Sequence, residues 1–226
     1  MTATRADGFR MGLIALVAAA GLGSPSQLAA QDDRGLAVIE GAAERYAAVD
    51  ALCAEFRQHL LVPLLGDERT GTGRLCQARP NRFAMRFSDP EGDAIVIDGE
   101  SVWIYYPSLD PKQVVKVPMS DRPGGHDFHR EFLEDPDSKY HVTYEAVEDV
   151  AGATTHRLRL VPKQPVSYRA AVLWIDQGAP VLRQIRVEEE NGTVRTITLG
   201  SVEFDATPGP DWFTFTPPEG ALVISG

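Results

Sequence analysis

The sequence lacks the short motifs that mark the common hydrolase, nucleotide-binding and zinc sites. It has no Gly-x-Ser-x-Gly nucleophile turn, no phosphate-binding glycine loop and no paired Cys-x-x-Cys ligands. Its 22 basic residues are outnumbered by 32 acidic ones, so it also lacks the positive charge that attracts nucleic acid. These absences argue against an enzyme with one of those sites and against a nucleic-acid partner.

The sequence also lacks an apolar run long enough to cross a bilayer. Arg5 and Arg10 precede the apolar residues 11–23, which small residues follow. A membrane-spanning helix needs about 20 apolar residues, so this pattern is typical of a secretory signal. We expect residues 1–30 to be cleaved and residues 31–226 to form one periplasmic domain. We expect this domain to be soluble, because no cysteine for lipid attachment stands near the predicted cleavage site. A retained membrane anchor is the alternative.

Only two cysteines are present, Cys53 and Cys76. If strands run through residues 51–62 and 69–79 around a tight turn, antiparallel pairing places the two cysteines nearly opposite each other. An exported protein meets an oxidising compartment, so the arrangement predicts a structural disulfide. Two free buried thiols, or a redox or metal-binding role, are the alternatives.

The hydrophobic pattern predicts one opening helix followed mainly by strands. Apolar residues from Leu36 to Tyr46 recur at three- and four-residue spacing, and Asp32 or Asp33 can cap the helix that they indicate. From about Ala51 the period changes to two, which indicates half-buried strands. Ten or eleven antiparallel strands make a sheet too wide to stay flat, so we expect a mainly β fold that curls into an incomplete, half-open barrel.

One segment, residues 122–135, interrupts the strands. The spacing of Phe128, Phe132 and Leu133 predicts one face of a short second helix there. The same segment holds His126, Asp127, His129 and Glu131, which could form a metal site because residues three apart share a helix face. We expect these polar residues to lie on a solvated surface instead, and we assign no metal and no cofactor.

Four segments, in order along the chain, resemble the LolA outer-membrane lipoprotein carriers and their LolB relatives. They are residues 45–58 (RYAAVDALCAEFRQ), 73–83 (GRLCQARPNRF), 95–107 (IVIDGESVWIYYP) and 213–223 (FTFTPPEGALV). The resemblance implies an unclosed barrel with an α-helical lid across its mouth. It also implies a monomeric, non-enzymatic carrier that binds the acyl chains of lipoproteins in a hydrophobic cavity and moves them from the inner to the outer membrane.

The resemblance also implies partners and site residues. The partners are acylated lipoproteins, an inner-membrane lipoprotein-release transporter and, where present, a LolB-like outer-membrane acceptor. Arg79 falls where the family keeps the arginine that holds the lid closed, and Phe83 falls at the cavity entrance, next to Met85. Further candidates for the cargo-binding wall are Leu75, Phe87, Ile97, Trp103, Val172 and Trp174.

Alternatives exist for each of these interpretations. Arg79 could be a solvated arginine at a strand end, and a phenylalanine such as Phe83 is a core residue in most proteins. A different amphiphile, such as a glycolipid, could occupy the same half-barrel in a binding or sensing module.

Overall fold

The computed structural model describes residue 2 and residues 25–119 and 129–225. A long helix, α1 (Pro25–Ala47), comes first, and a shorter one, α2 (Pro136–Lys139), follows a π-helical turn at His129–Leu133. The strands are β1 (Ala51–Val62), β2 (Asp67–Ala78), β3 (Arg82–Asp89), β4 (Ala94–Ile97), β5 (Ser101–Tyr105), β6 (Gln113–Pro118), β7 (Tyr140–Val150), β8 (Ala153–Pro162), β9 (Tyr168–Asp176), β10 (Leu182–Glu189), β11 (Val194–Phe204) and β12 (Leu222–Ser225). Single 3-10 turns lie at Pro63–Leu65 and Pro210–Phe213.

The twelve strands of the described ranges form one sheet in the order β12-β6-β5-β4-β3-β2-β1-β11-β10-β9-β8-β7. Neighbouring strands run antiparallel, except that β12 pairs parallel with β6. The sheet is open, with β12 and β7 at its two edges, so the predicted mainly β, incomplete barrel is confirmed. The sequence pattern does not predict β12. All four of its residues are exposed, so buried and exposed positions do not alternate along it.

One face of the sheet carries a continuous apolar cluster. We call the face against which α1 packs the inner face, and the opposite one the outer face. The inner cluster takes residues from every strand between β1 and β11, together with Ile39, Ala42 and Tyr46 of α1. A flat sheet of this many strands would be about 50 Å wide, whereas a helix is about 10 Å across. The sheet must therefore curl around the helix for one cluster to reach so many strands.

The outer face carries a second, smaller apolar cluster, and it contains the disulfide. Cys53 and Cys76 are bonded and directly paired across β1 and β2, as the predicted register requires. Phe213 of the C-terminal segment covers this cluster. Arg86 holds the segment in place, because its guanidinium donates to the carbonyl oxygens of Trp212 at 3.1 Å and Thr214 at 2.8 Å.

Removing the disulfide is expected to lower stability without affecting the inner face. The bond closes a loop with a sequence separation of 23 residues, and a loop of that size stabilises a fold by about 3 kcal/mol through the unfolded state. We expect the Cys53→Ala/Cys76→Ala variant to lose about that much free energy of unfolding in urea titrations. Its affinity for an acylated ligand should equal that of the wild type, and a loss of binding at unchanged folding would contradict the separation of the two faces.

The helical regions differ from the expected pattern at both ends. Helix α1 begins at Pro25, so Asp32 and Asp33 lie inside it and do not cap it. The predicted cleavage after residue 30 therefore falls within α1 and stays a prediction. Of the expected second helix, the described part is the π-helical turn, whose Phe132 and Leu133 join the inner cluster. Residues 120–128, with His126, Asp127 and Phe128, lie outside the described residues.

None of the helices in the described part of the chain combines the length and the hydropathy needed to cross a bilayer.

Candidate functional site

Five of the eight candidate wall residues lie together on the inner face. Leu75, Phe83, Met85, Phe87 and Ile97 belong to the inner cluster, on the adjacent strands β2, β3 and β4. Strand pairing explains their proximity, since Leu75 lies opposite Met85 and Phe83 lies opposite Ile97. Phe83 and Met85 are each only 1% exposed. These side chains therefore pack against other protein groups and are closed off from solvent.

The other three candidates require a correction, because Trp103, Val172 and Trp174 lie on the outer face. Trp103 packs in the outer cluster, and its indole Nε1 donates to a carboxylate oxygen of Asp98 at 2.7 Å. Trp174 donates to the carboxylate of Glu148. Val172 lies between Arg159 and Arg186 of the neighbouring strands. None of these three residues is part of the inner-face wall.

Val172 and Trp174 were placed on the wrong face because their strand, β9, is buried on both faces. Its residues from Ala170 to Ile175 are all buried, so the strand shows no alternation that would reveal its inner side. Arginine and glutamate side chains of β8 and β10 cover the outer side, as long charged residues do when their stems lie along apolar surface. The inner residues of β9 are Ala171, Leu173 and Ile175.

Arg79 lies at the end of β2 and contacts the C-terminal end of α1. Its Nε donates to the carbonyl oxygen of Val49 at 3.0 Å, and its Nη2 donates to those of Ala47 at 3.2 Å and Tyr46 at 3.4 Å. The last carbonyls of a helix have no partner within it and carry partial negative charge. A rigid guanidinium satisfies several of them at once. The geometry is that of a clasp between α1 and the sheet.

A tyrosine of α1 makes a second contact with the sheet from inside the cluster. The Tyr46 hydroxyl accepts a hydrogen bond at 3.2 Å from the backbone N–H of Leu182, where β10 has a register shift against β9. Burial raises the pKa of Tyr46 to about 12. The phenol is therefore neutral at physiological pH, and the bond links the helix to β10, three strands away from the strand that precedes Arg79.

The π-helical turn is held to the sheet by a polar triad of the half-buried Glu131 and two buried tyrosines. The hydroxyls of Tyr140 on β7 and Tyr168 on β9 lie 2.7 Å apart, and both donate to the carboxylate of Glu131. Burial is the main cause that raises the pKa of both phenols, so they remain proton donors at neutral pH. Phe132, the next residue after Glu131, is thereby held against the inner cluster.

The N-terminal half of α1 packs very closely on β7. Gly35 is buried, and a Cβ at this position would lie 2.8 Å from Cγ1 of Val142 and 3.4 Å from the backbone nitrogen of Tyr144. The neighbouring Arg34 places its guanidinium 3.9 Å from the ring centroid of Tyr144. The Tyr144 hydroxyl in turn is hydrogen-bonded to Nδ1 of His156 at 2.9 Å. Absence of a side chain at Gly35 is what permits the contact.

Acidification is expected to weaken this packing through His156. Burial, and secondarily the charge of Arg34, lowers the pKa of His156 below its ordinary value near 6.5. The stabilisation from the neutral ring is thus present above that value and is lost as the pH falls through the folded-state pKa. The pKa values of Asp98, Asp176 and Glu188 are also lowered, but carboxylates act only below about pH 5.

We therefore expect the free energy of unfolding to fall between about pH 7.5 and pH 5.5, and to fall less in the His156→Gln variant, which keeps a polar partner for Tyr144. Urea titrations at the two pH values measure both changes. An identical pH dependence in the two proteins would show that another group is responsible.

Comparison with known proteins bears directly on this arrangement of helix and sheet. A family model described as "Outer membrane lipoprotein carrier protein LolA" matches residues 47–216. The chain belongs to the LolA family. LolA carriers are non-enzymatic binding proteins, and the match includes Arg79 and the five inner-face candidates but not the larger part of α1.

Relatives of this LolA-family chain carry the same description. The outer-membrane lipoprotein carrier protein of Alkalilimnicola ehrlichii is 29% identical over 154 residues, which cover 68% of this chain and 67% of that protein. The one from Chromobacterium violaceum is 27% identical over 214 residues, covering 95% and 96%. Among solved structures, an uncharacterized conserved protein from Thermus thermophilus has a TM-score of 0.51 at 14% identity, covering 86% of this chain and 98% of that one. This last likeness shows the fold alone.

Proposed function

We propose that this chain is a periplasmic carrier that binds the acyl chains of lipoproteins on its inner face and moves them from the inner to the outer membrane. The observation that carries the proposal is the clasp of Arg79 on α1, above an apolar face that extends across eleven strands. A core that only stabilises a fold needs no separable cover. An apolar face covered by one helix, which apolar packing and a few polar contacts hold in place, is a surface that movement of the helix can open and close again.

The closed state sets the energetics of such a carrier. Each buried methylene contributes roughly 0.8 kcal/mol, so one sixteen-carbon chain would contribute roughly 12 kcal/mol if it were wholly buried. Three such chains would exceed the practical ceiling near 20 kcal/mol for reversible binding. Opening α1 exposes inner-face residues and breaks the bonds of Arg79 and Tyr46, and this cost lowers the net affinity. Cargo is therefore held reversibly, as delivery requires.

Within this proposal the cargo contacts the part of the inner face formed by β2, β3 and β4. Its proposed contacts are Leu75, Phe83, Met85, Phe87 and Ile97. Met85, with an unbranched thioether side chain, adapts most easily to acyl chains of differing length. Arg79 acts as the residue that closes the lid, and it makes no contact with the transported acyl chains.

The route of the cargo is the remaining part of the proposal. An inner-membrane lipoprotein-release transporter supplies the lipoprotein, and a LolB-like outer-membrane acceptor receives it where one exists. Cleavage of residues 1–30 releases residues 31–226 as a monomer into the periplasm. The family match and the names of the relatives support this route.

Mass spectrometry of lipid extracted from protein purified out of its own periplasm tests the proposal. We expect lipoproteins with acylated N-termini to copurify in a one-to-one complex. A second arm follows the transfer of a purified lipoprotein from inner-membrane vesicles to the soluble protein. Free glycolipid in the extract, together with no transfer of lipoprotein, would favour a carrier or sensor of another amphiphile and would contradict the proposal.

A further inference from the structure

The turn between β1 and β2 exposes an unusual amount of apolar surface. Leu64 and Leu65 are 78% and 76% exposed, and the preceding Leu61 is 37% exposed. We call residues 61–66 the hairpin tip. It contains no charged residue, and the 3-10 turn at its centre has no buried residue at all. These leucines contribute nothing to the hydrophobic core. Packing within the fold therefore does not explain why the turn has leucine at these positions.

The hairpin tip is held rigidly and extends past its neighbour on one side. Strands β1 and β2 pair without a break from Ala51 opposite Ala78 to Val62 opposite Asp67. Pairing between β2 and β3 stops at Thr72, so β2 continues for about 17 Å beyond it, at about 3.4 Å per residue. A fixed, projecting apolar end is presented to whatever the protein meets at this edge.

The polar residues at the base of the tip contact one another. Arg69 pairs with Asp67 at 2.5 Å, and His59 contacts Glu68 at 2.6 Å. A partner recognised by charge would need charged residues in the tip itself, and residues 61–66 contain none. The tip therefore recognises its partner through apolar contact.

The size and shape of the tip favour a lipid surface over a protein. A stable protein interface buries about 800 Å² on each side, with complementary shape, whereas the tip offers a few side chains on a narrow convex end. Insertion of such an end into the boundary between headgroups and acyl chains needs no matching pocket, and its strength follows from the apolar area buried. The same reasoning disfavours a second copy of this chain as the partner.

We propose that the hairpin tip inserts into the outer layer of a lipid bilayer, with Leu64 and Leu65 as the inserted side chains. On β1, Leu60 and Val62 share the side of the strand that carries the inner-face residue Phe56. The inserted tip thus lies at the end of a strand that leads to the inner face, with Gln58 and its partner Arg195 between Leu60 and Phe56. Arg79 lies at the opposite end of this hairpin, so membrane contact leaves the clasp on α1 free to act.

Flotation with phosphatidylcholine vesicles tests the insertion. The wild-type chain is expected to float with the vesicles, equally at low and high salt, because the contact is apolar. The Leu64→Asp/Leu65→Asp variant should lose about 100-fold in partition, at about tenfold for each leucine, which corresponds to about 1.4 kcal/mol each. A Leu64→Trp variant should show a blue shift of its fluorescence when vesicles are added.

The matched control is Leu109→Asp/Val166→Asp, which replaces two apolar residues that are 60% and 43% exposed in other loops. This variant should float like the wild type, and both variants should keep the wild-type melting temperature. Absence of flotation by the wild type, or equal losses in the two double variants, would overturn the insertion. Unchanged flotation of the tip variant with loss of a protein partner would assign the tip to protein contact instead.

The proposed membrane insertion and the proposed carrier function can be tested independently of each other. Binding of a soluble fluorescent triacylated lipopeptide in the absence of vesicles should be the same in the tip variant and the wild type. Vesicle binding without lipopeptide binding would retain the insertion and remove the carrier function. The reverse result would retain the carrier function and remove the insertion.

Discussion

Replacing Arg79 by leucine is expected to tighten the binding of an acylated lipopeptide and to slow its release by about 10- to 100-fold. The guanidinium donates to three carbonyl oxygens at the end of α1 and in the segment that follows. Hydrogen bonds from a charged group contribute about 1.5–3 kcal/mol each, though not additively. Without them the closed state loses stability relative to the open one, and less free energy opposes the bound cargo. Stopped-flow release of a fluorescent lipopeptide measures the effect.

Two further arginine variants make this prediction specific. Arg79→Lys should give an intermediate rate, because a single ammonium cannot reach all three carbonyls. Arg74→Leu removes an outer-face arginine that pairs with Glu55 and Glu203, and exposed pairs contribute at most about 1 kcal/mol. It should release cargo like the wild type. Equal release rates for Arg79→Leu and Arg74→Leu would show that Arg79 is a solvated strand-end arginine that does not hold the lid closed.

Replacing Gly35 by leucine is expected to force α1 away from β7. The added Cβ would meet Val142 Cγ1 at 2.8 Å and the backbone of Tyr144 at 3.4 Å, and backbone has little freedom to move. Overpacking of this kind typically costs about 1–3 kcal/mol. We expect a lower free energy of unfolding, stronger fluorescence of a dye that binds apolar surface, and faster uptake of the lipopeptide.

The same helix supplies the control for this variant. Gly41 also lies in α1, but a Cβ there would meet nothing within 4 Å. Gly41→Leu should raise stability by about 0.5–1 kcal/mol, because glycine is a poor helix former, and should leave dye binding and uptake unchanged. If the two glycine variants take up lipopeptide at the same rate, close packing of α1 on β7 does not control access to the inner face.

Much of the fold could be predicted because most strands have one apolar face. The register of β1 and β2 predicted the bond between Cys53 and Cys76, since a single tight turn fixes which residues lie opposite each other. Strand β12 could not be predicted, because all its residues are exposed and its parallel partner β6 is distant in sequence. Strand pairing across a short turn could thus be predicted from the sequence. Pairing between strands that are distant in sequence and lack an alternating pattern could not.

The candidate site was predicted best where a strand alternates clearly. Phe83, Met85 and Phe87 on β3 follow period two and were placed correctly on one face. The outer-face residues Trp103 and Val172 were placed wrongly, because other parts of the chain cover the outer side of their strands. A strand that is buried on both faces carries no signal for which one faces α1.

The polar contacts that hold the helical parts closed were mostly missed. Glu131, Tyr140 and Tyr168 come together only through the folding of distant segments. A weak signal was available for Tyr140 alone, which alternates with the inner residues Val142 and Tyr144. Tyr168 reaches the inner side only through a register shift between β9 and β10, which the sequence does not reveal. Arg79 was found through the family resemblance alone, since an arginine before a proline has no distinctive pattern.

The central claim is that acyl chains reach the inner face only when α1 moves away from the sheet. A disulfide between α1 and β7 tests it, made by Gly35→Cys with Val142→Cys. The contact of 2.8 Å from the Gly35 Cβ position to Val142 Cγ1 puts the two Cβ atoms within roughly 4.3 Å, which a disulfide spans.

The decisive measurement is the affinity of the fluorescent lipopeptide for this variant, oxidised and then reduced, with the wild type under both conditions as control. We predict a loss of at least about 100-fold, or about 2.8 kcal/mol, on oxidation and full recovery on reduction. Wild-type affinity in the oxidised, locked protein would contradict the account.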